Sequence, residues 1–458
     1  MKKPNIIYFH THDSGRYVQP YGMGIQSPNI QKLSEEGVLF RNSHCACPTC
    51  SPSRAALLTG QYPHNNGMLG LSHRGWELND KNKHLCNVLK QNGYETVLAG
   101  MQHVTKYREQ LGYEIDLRQN MAGCYVKDVM PKVEEYLQEK HVSPFFLSVG
   151  FTETHLKYLA AYKGEEKENI KKQTKEWSKY IEVPPVLPDK KKIREEFADF
   201  QYDLLRVDDA LGKIVNILKE KGIYDNTIII CTTDHGVALP RMKCTLTDQG
   251  TGVMLIIKGM DEMNGGKVID AMVSHMDVFP TICEMIDIVK PNWLQGQTLI
   301  PLVKGQKEEI HNELFFEVTY HAGYEPKRAI RTNRWKYIKR FDEKQQAPVM
   351  ANIDMSNSKQ LWLDNNYQNK NLETEYLFDL YFDPIESCNL YNDPEYKEIK
   401  EELKNKLYQW MKQTEDPLLN GPIPLTENGF VEKRDAINPA NHDVGTRVFG
   451  FEWNDKYL

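Results

Sequence analysis

The run Thr227-Ile228-Ile229-Ile230-Cys231-Thr232-Thr233-Asp234-His235-Gly236 joins a block of β-branched and apolar residues to an acid, an imidazole and a glycine. An uninterrupted apolar block bounded by polar turn formers reads as a strand buried on both faces. Just upstream, Phe197, Phe200, Leu204, Val207, Leu211, Ile214 and Leu218 recur three or four residues apart, and Gly222 closes the series. That spacing predicts a helix with one apolar face. Working outward, short runs of the same kind stand at Ile6–Phe9, Thr96–Ala99, Phe145–Val149 and Val253–Ile257. Strands that alternate with helical patterns predict an α/β fold with a large, mostly parallel sheet sandwiched by helices. In such sheets ligands bind beyond the carboxyl ends of the strands.

After about residue 310 the pattern changes. Glu313–Val318, Arg328–Ile338 and Leu377–Phe382 are strand-like pieces joined by polar loops, and Tyr396, Ile399, Leu403, Leu407 and Trp410 mark one further helix before Pro417. We therefore expect a main domain over 1–320 and a smaller C-terminal domain over 321–458, with a short antiparallel sheet, one helix and an irregular tail from Leu418.

The chain has 458 residues, with 57 Lys+Arg against 63 Asp+Glu, a formal charge of −6, and 40% hydrophobic residues. This mild acidic balance, without a long basic block, argues against nucleic acid or an anionic membrane as the main partner. No window approaches the roughly 20 apolar residues of a membrane-spanning helix. The N-terminal run Ile6–Phe9 is too short for a signal-peptide core, and the nine cysteines are an odd, scattered set. A reducing cytoplasmic location is the expectation, or a periplasmic or secreted one where a leader has been removed.

The segment richest in chemistry is Cys45-Ala46-Cys47-Pro48-Thr49-Cys50-Ser51-Pro52-Ser53-Arg54-Ala55-Ala56-Leu57-Leu58-Thr59-Gly60. Its three cysteines read as half of a zinc site, as small buried hydrophobes, or, for Cys50, as a reactive group. Pro52 reads as a first helical residue ahead of an Ala-Ala-Leu-Leu run, so Cys50 falls beside a helix N-terminus with Arg54 close by. Such a place stabilises an anion and activates a nucleophile. Asp13 and Asp234, each just past a strand, read alone as helix caps more readily than as metal ligands.

Cys50-Ser51-Pro52-Ser53-Arg54 with Leu58-Thr59-Gly60 resembles the signature of the type I sulfatases. Segments along nearly the whole chain resemble the family too, including Val183–Asp189, Asp277–Thr281, Arg328–Thr332 and Leu377–Leu380. The resemblance implies an alkaline-phosphatase-like fold and oxidation of Cys50 to formylglycine by a maturase, of the anaerobic cysteine type. It also implies one divalent metal ion and a sulfated sugar as substrate. A hydrated aldehyde explains the residue choice, because one hydroxyl attacks sulfur while the other later expels sulfate.

The same resemblance assigns roles by position. Metal ligands are expected at His12, Asp13, Asp234 and His235, with Asp13 matching the second of the family's two adjacent aspartates and Asp234-His235 matching its second metal pair. Arg54 and Lys243 would balance the sulfate charge, His103 would take a proton from the residue at position 50, and His155 would protonate the leaving group. Two positions depart from the pattern. His12 stands where an aspartate is usual, which moves preference from calcium toward manganese, magnesium or zinc. Met101 replaces a lysine and removes a cation from the sulfate pocket.

Asn65-Asn66-Gly67-Met68, Tyr320-His321-Ala322 and Thr414-Glu415-Asp416-Pro417 resemble the N-sulfoglucosamine sulfohydrolase group in particular. This implies an N-sulfoglucosamine of heparin or heparan type as preferred substrate, with His321 and Arg328 on the substrate side. The alternatives are an O-sulfated glycosaminoglycan or mucin sugar, a phosphonate or phosphate ester, and a non-catalytic sugar-binding relative.

Overall fold

The computed structural model describes residues 3–118, 123–342, 346–439 and 446–450. Its main sheet holds β1 (Asn5–His10), β2 (Val38–His44), β3 (Glu95–Gly100), β4 (Ile115–Asp116), β5 (Phe145–Gly150), β6 (Thr227–Thr232), β7 (Leu255–Lys258) and β8 (Lys267–Ser274). The spatial order is β4-β3-β5-β1-β6-β7-β2-β8. Pairings are parallel except those of β7 with β6 and with β2. Helices α1 (Pro28–Glu36), α2 (Cys50–Thr59), α3 (Pro63–Asn66), α4 (Leu85–Gln91), α5 (Val126–Gln138), α6 (Gly164–Trp177), α7 (Lys191–Glu220), α8 (Asp248–Thr251), α9 (Val278–Met285) and α10 (Ile300–Val303) accompany this sheet, and α11 (Asn357–Asp364) and α12 (Lys397–Gln413) lie in the C-terminal region.

The two-residue period of a strand divides the apolar block between two cores. Ile228 and Ile230 pack with α2, α4, α9 and α12 residues such as Leu57, Leu89, Phe279 and Leu407. Ile229 and Cys231 pack on the opposite face with Phe197, Leu204 and Leu211 of α7 and Val133 of α5. The sheet is thus covered on both sides, and among the described residues no helix is long and apolar enough to cross a membrane.

Several expectations need correction. Val253 and Met254 precede β7, which starts at Leu255 and opposes its neighbours. Strands β2 and β8 escaped the sequence reading because polar residues such as Arg41, Asn42 and Asp270 interrupt them. The piece Arg328–Ile338 is not one strand. It splits into β10 (Tyr324–Arg331) and β11 (Trp335–Arg340), with the Thr332 N–H bonded to the Trp335 carbonyl at the turn. These strands pair antiparallel with β9 (Leu314–Tyr320) and β12 (Glu375–Asp379) in the order β12-β11-β10-β9. The C-terminal region has a second helix, α11, too short to show a period, and its N-cap Ser356 accepts from the Lys359 N–H. The tail is not wholly irregular, because β13 (Phe430–Glu432) pairs with β14 (Arg447–Phe449).

Strands β3, β5, β1 and β6 are adjacent and parallel, so their carboxyl ends share one edge. Gly150 ends β5 beneath the His10 ring, where a Cβ would lie 2.1 Å from His10 Cε1. Only glycine fits that approach.

Candidate active site

The edge formed by these strand ends gathers the polar residues that the sequence marked. Asp13 follows β1, His103 follows β3, His155 follows β5, and Asp234 with His235 follows β6. Cys50 opens α2 after β2. Pro52 is the third residue of α2 rather than the first, and Gly60 closes the helix in the left-handed region with φ of 65°. Asp13 and His103 also adopt positive φ, 53° and 56°, a conformation that costs a non-glycine residue roughly 1 kcal/mol. Both strained residues point to the site.

Arg54 is the first organiser. Its guanidinium lies 2.6 Å from His10 Nδ1, 3.1 Å from the Thr11 carbonyl and 2.9 Å from Asp234 Oδ2. Asp234 Oδ1 accepts from the Asp13 backbone N–H at 2.8 Å and from the His235 N–H at 3.0 Å. The Ser53 hydroxyl donates to the Asp234 carbonyl at 2.5 Å, tying α2 to the turn after β6. Lys243 Nζ bridges Asp13 Oδ2 at 3.1 Å and Asp354 Oδ2 at 2.9 Å.

Asp13 and Asp234 are fully buried beside one another. Burial alone would raise both carboxyls. Lys243 with His12, His155 and His235 outweighs it at Asp13, and Arg54 with His235 and His12 outweighs it at Asp234, so both stay well below the usual carboxylate range. Burial lowers His12 to about 4 against the pull of Asp13. At Lys243 burial opposes the charge, and Asp13 and Asp354 restore it, leaving the ammonium well above its ordinary pKa.

Cys50 behaves differently from the sequence expectation of an activated thiol. Burial pushes the thiol well above its ordinary pKa, with Asp13 and Asp234 acting against Lys243 and Arg54. Its Sγ is 3.3 Å from His235 Nε2 and 3.9 Å from Asp13 Oδ1. A thiol held protonated is a poor nucleophile. Cys45 and Cys47 are buried and join no cluster of three metal-binding side chains among the described residues.

A divalent cation fits this donor set. His12 Nδ1, Asp13, Cys50 Sγ and Asp234 offer atoms within 4.8 Å of one another. His12 Nδ1 is 2.8 Å from Asp13 Oδ1 and 3.5 Å from Asp234 Oδ2. His235 Nδ1 bonds to the Gly236 carbonyl at 2.9 Å, which leaves the Nε2 lone pair directed at Asp13 Oδ1, 3.2 Å away. A ring nitrogen fixed by a backbone carbonyl is the usual support of a metal-binding imidazole.

Histidines form the outer wall. His155 is about one-third exposed, bonds through Nδ1 to the Leu156 carbonyl at 3.0 Å, and places Nε2 3.7 Å from Asp13 Oδ2. Its ring meets His12 edge-on at 4.6 Å. His103 stacks on His73, with Nε2 3.3 Å from His73 Nδ1, and its buried Nδ1 has no hydrogen-bond partner. His321 is buried with an unpartnered Nδ1, and its pKa is driven well down by burial and by Lys243 and Arg74 nearby. Met101 is half-buried against the apolar core, so it leaves the cationic work to Arg54 and Lys243.

Arg328 is placed elsewhere. It is completely buried, with Nε and Nη2 on the two oxygens of Asp416 at 2.6 and 3.0 Å and Nη1 on Val318, Thr319 and Lys327 oxygens. All its donors serve the protein, which corrects the expectation of a substrate contact. Sequence reasoning missed Asp354, His73 and His10. Asp354 stands in a loop 111 residues from Lys243 with no motif around it, and His73 carries no signal besides its residue type.

Comparison with known proteins identifies the family. The family model described as Sulfatase matches residues 4–288, and that described as N-sulphoglucosamine sulphohydrolase, C-terminal, matches 242–374. An ulvan-active sulfatase of Formosa agariphila is 28% identical, covering 93% of this chain and 83% of that protein. The N-sulphoglucosamine sulphohydrolase of Homo sapiens is 27% identical, covering 91% and 90%. Among solved structures, a protein in complex with its substrate D-glucosamine-2-N,6-O-disulfate has a TM-score of 0.69 at 19% identity, over 92% of this chain and 99% of that one. A 2-O GAG sulfatase has a TM-score of 0.69 at 20% identity, over 92% and 94%. These structures share the fold, and the sulfatase model spans the sheet and every strand-end residue of the site. The chain belongs to the sulfatase family, and it is a sulfuric ester or sulfamate hydrolase.

Proposed function

We propose that this sulfatase acts on sulfated carbohydrate and removes the N-sulfate of glucosamine units of heparin or heparan type. The observation that carries the reading is the match of residues 242–374 to the N-sulphoglucosamine sulphohydrolase C-terminal model. That stretch contains Lys243, His321 and Asp354, which stand on the C-terminal side of the pocket. The human relative of the same name supports it over nine-tenths of both chains.

When bound, a divalent cation held by Asp13 and Asp234 with His12 and His235 supplies polarisation of a sulfate oxygen. Formylglycine, formed from Cys50 by a maturase, would supply a geminal diol as the nucleophile at position 50. The chain's own groups do the rest. Arg54 and Lys243 face the charge that grows on the sulfate oxygens, in a site too buried for water to screen them. His155, whose Nδ1–H is engaged by the Leu156 carbonyl, gives a proton from Nε2 to the leaving nitrogen in its imidazolium form. The unpartnered Nδ1 of His103 is the acceptor for the hydroxyl proton at position 50. General acid and base steps of this kind contribute roughly 100- to 10,000-fold each.

Turnover of N-sulfoglucosamine by the converted protein, beside glucosamine 6-O-sulfate, tests the reading. Faster sulfate release from the N-sulfated sugar is expected. The second reading, an O-sulfated polysaccharide, is favoured by the ulvan-active sulfatases among the relatives, and exclusive release from O-sulfated sugars would establish it.

A further inference from the structure

Lys243 belongs to two places at once. Its Nζ lies between Asp13 and Asp354, and its side chain also lines a cavity of about 210 Å³ behind the site. This cavity shares Arg241, Trp362, Tyr367 and Tyr376 with an outer groove of about 800 Å³, walled on the far side by the Pro185–Pro188 loop. The two spaces adjoin at these shared residues, and Lys243 is the residue that the inner one has in common with the site.

The walls have a definite chemistry. Trp362 and Tyr367 sit with ring centroids 4.1 Å apart, and Tyr376 lies beside them, all three half-buried. Lys370 Nζ is 5.9 Å from the Tyr367 ring centroid. Arg241 spends its bonds on the Ile385 and Glu386 carbonyls rather than on a carboxylate. Among the described residues neither Lys370 nor Arg241 has an ion-pair partner. The carboxylates of the inner cavity are neutralised, Glu325 by Lys327 at 2.9 Å and Glu386 by Lys336 at 2.9 Å. Among the described residues that line the outer groove, Glu373 alone is acidic. Aromatic faces for ring stacking beside uncompensated cations suit a chain of anionic sugars and suit a neutral or cationic ligand poorly.

We propose that this groove binds the sugars that extend beyond the residue being desulfated, so that Trp362, Tyr367 and Tyr376 with Arg241 and Lys370 set a preference for sulfated oligosaccharides over monosaccharides. The assignment of a sugar chain rests on the carbohydrate reading above. The groove adds a chain-length preference that the catalytic residues do not explain. Stacking holds the sugar rings, and the two cations meet their sulfates or carboxylates.

The test compares a heparin-derived hexasaccharide with N-sulfoglucosamine as substrates of the converted wild-type protein, Trp362→Ala, Trp362→Phe and Lys370→Gln. Trp362→Ala is expected to raise the hexasaccharide KM about ten-fold relative to the monosaccharide, with Trp362→Phe recovering most of the loss and Lys370→Gln raising the KM in a salt-dependent way. Equal hexasaccharide-to-monosaccharide ratios in wild type and all variants would overturn the proposal, as would equal losses on both substrates. Calorimetric binding of the hexasaccharide to Cys50→Ala, with and without Trp362→Ala, judges the groove without turnover. Tighter binding with Trp362 present is expected even where the wild type releases no N-sulfate, an outcome that would sink the N-sulfoglucosamine reading alone. Equal binding would sink the groove.

Discussion

Lys243 and Asp354 form an ion pair of 2.9 Å that joins the loop after β6 to the C-terminal region at the edge of the pocket. The same ammonium lies 3.1 Å from Asp13, so Asp354 decides where the lysine's charge rests. Asp354→Asn should let Lys243 settle on Asp13 alone and lower kcat by about ten-fold, in the range of lost supporting contacts around a metal site. Steady-state kinetics check this, and an unchanged kcat would show that Lys243 needs no second partner.

Arg54→Lys should be more severe. A lysine cannot meet His10, Thr11 and Asp234 at once, since it lacks the planar fork, and Asp234 would remain buried with an incomplete partner. Breaking a buried pair costs roughly 3–5 kcal/mol. Thermal unfolding should show a Tm lowered by several degrees, and sulfate release should fall at least a hundred-fold.

Metal preference provides an independent readout. With imidazole at position 12 beside two carboxylates, manganese or zinc should raise the Tm more than calcium at equal concentration, and His12→Asp should reverse that order. A thermal-shift series over the three ions decides it, and a wild-type preference for calcium would contradict the role given to His12.

Stability should fall between about pH 4 and pH 7 because of Asp203. Burial, aided by Asp199, raises this carboxyl from 3.8 to about 7 against the Leu159 N–H that it accepts. The folded state holds the proton that the unfolded chain releases. The stabilisation is therefore complete below about pH 4 and lost as pH approaches 7, with an upper bound of about 4 kcal/mol. Asp203→Asn should match the wild type near pH 4 and exceed its Tm at pH 8. Parallel Tm curves for the two proteins across that window would contradict the assignment.

Much of this was legible in the sequence because it is local. The apolar block Ile228–Cys231 needs both faces covered wherever it sits, and the residues that end each strand inherit the sheet's edge, so Asp13, His103, His155 and Asp234 converge without further instruction. What stayed hidden depends on distant partners. Arg328 looks the same in sequence whether it meets a sugar or Asp416, and only the packing of β10 against the segment after α12 decides it. Asp354 has no neighbours in sequence that share its task. The strands β2 and β8 were obscured because their side chains are partly polar, while the ladder between them is set by backbone hydrogen bonds.

In the proposed function the residues around Cys50 cleave a sulfate from nitrogen. Protein produced with a cysteine-type maturase, verified by mass spectrometry to carry formylglycine at position 50, would be given a heparin disaccharide bearing both an N-sulfate and a 6-O-sulfate, with Cys50→Ala as the control. Loss of the N-sulfate alone, absent in the control, is the predicted result. Loss of the 6-O-sulfate alone would contradict the claim.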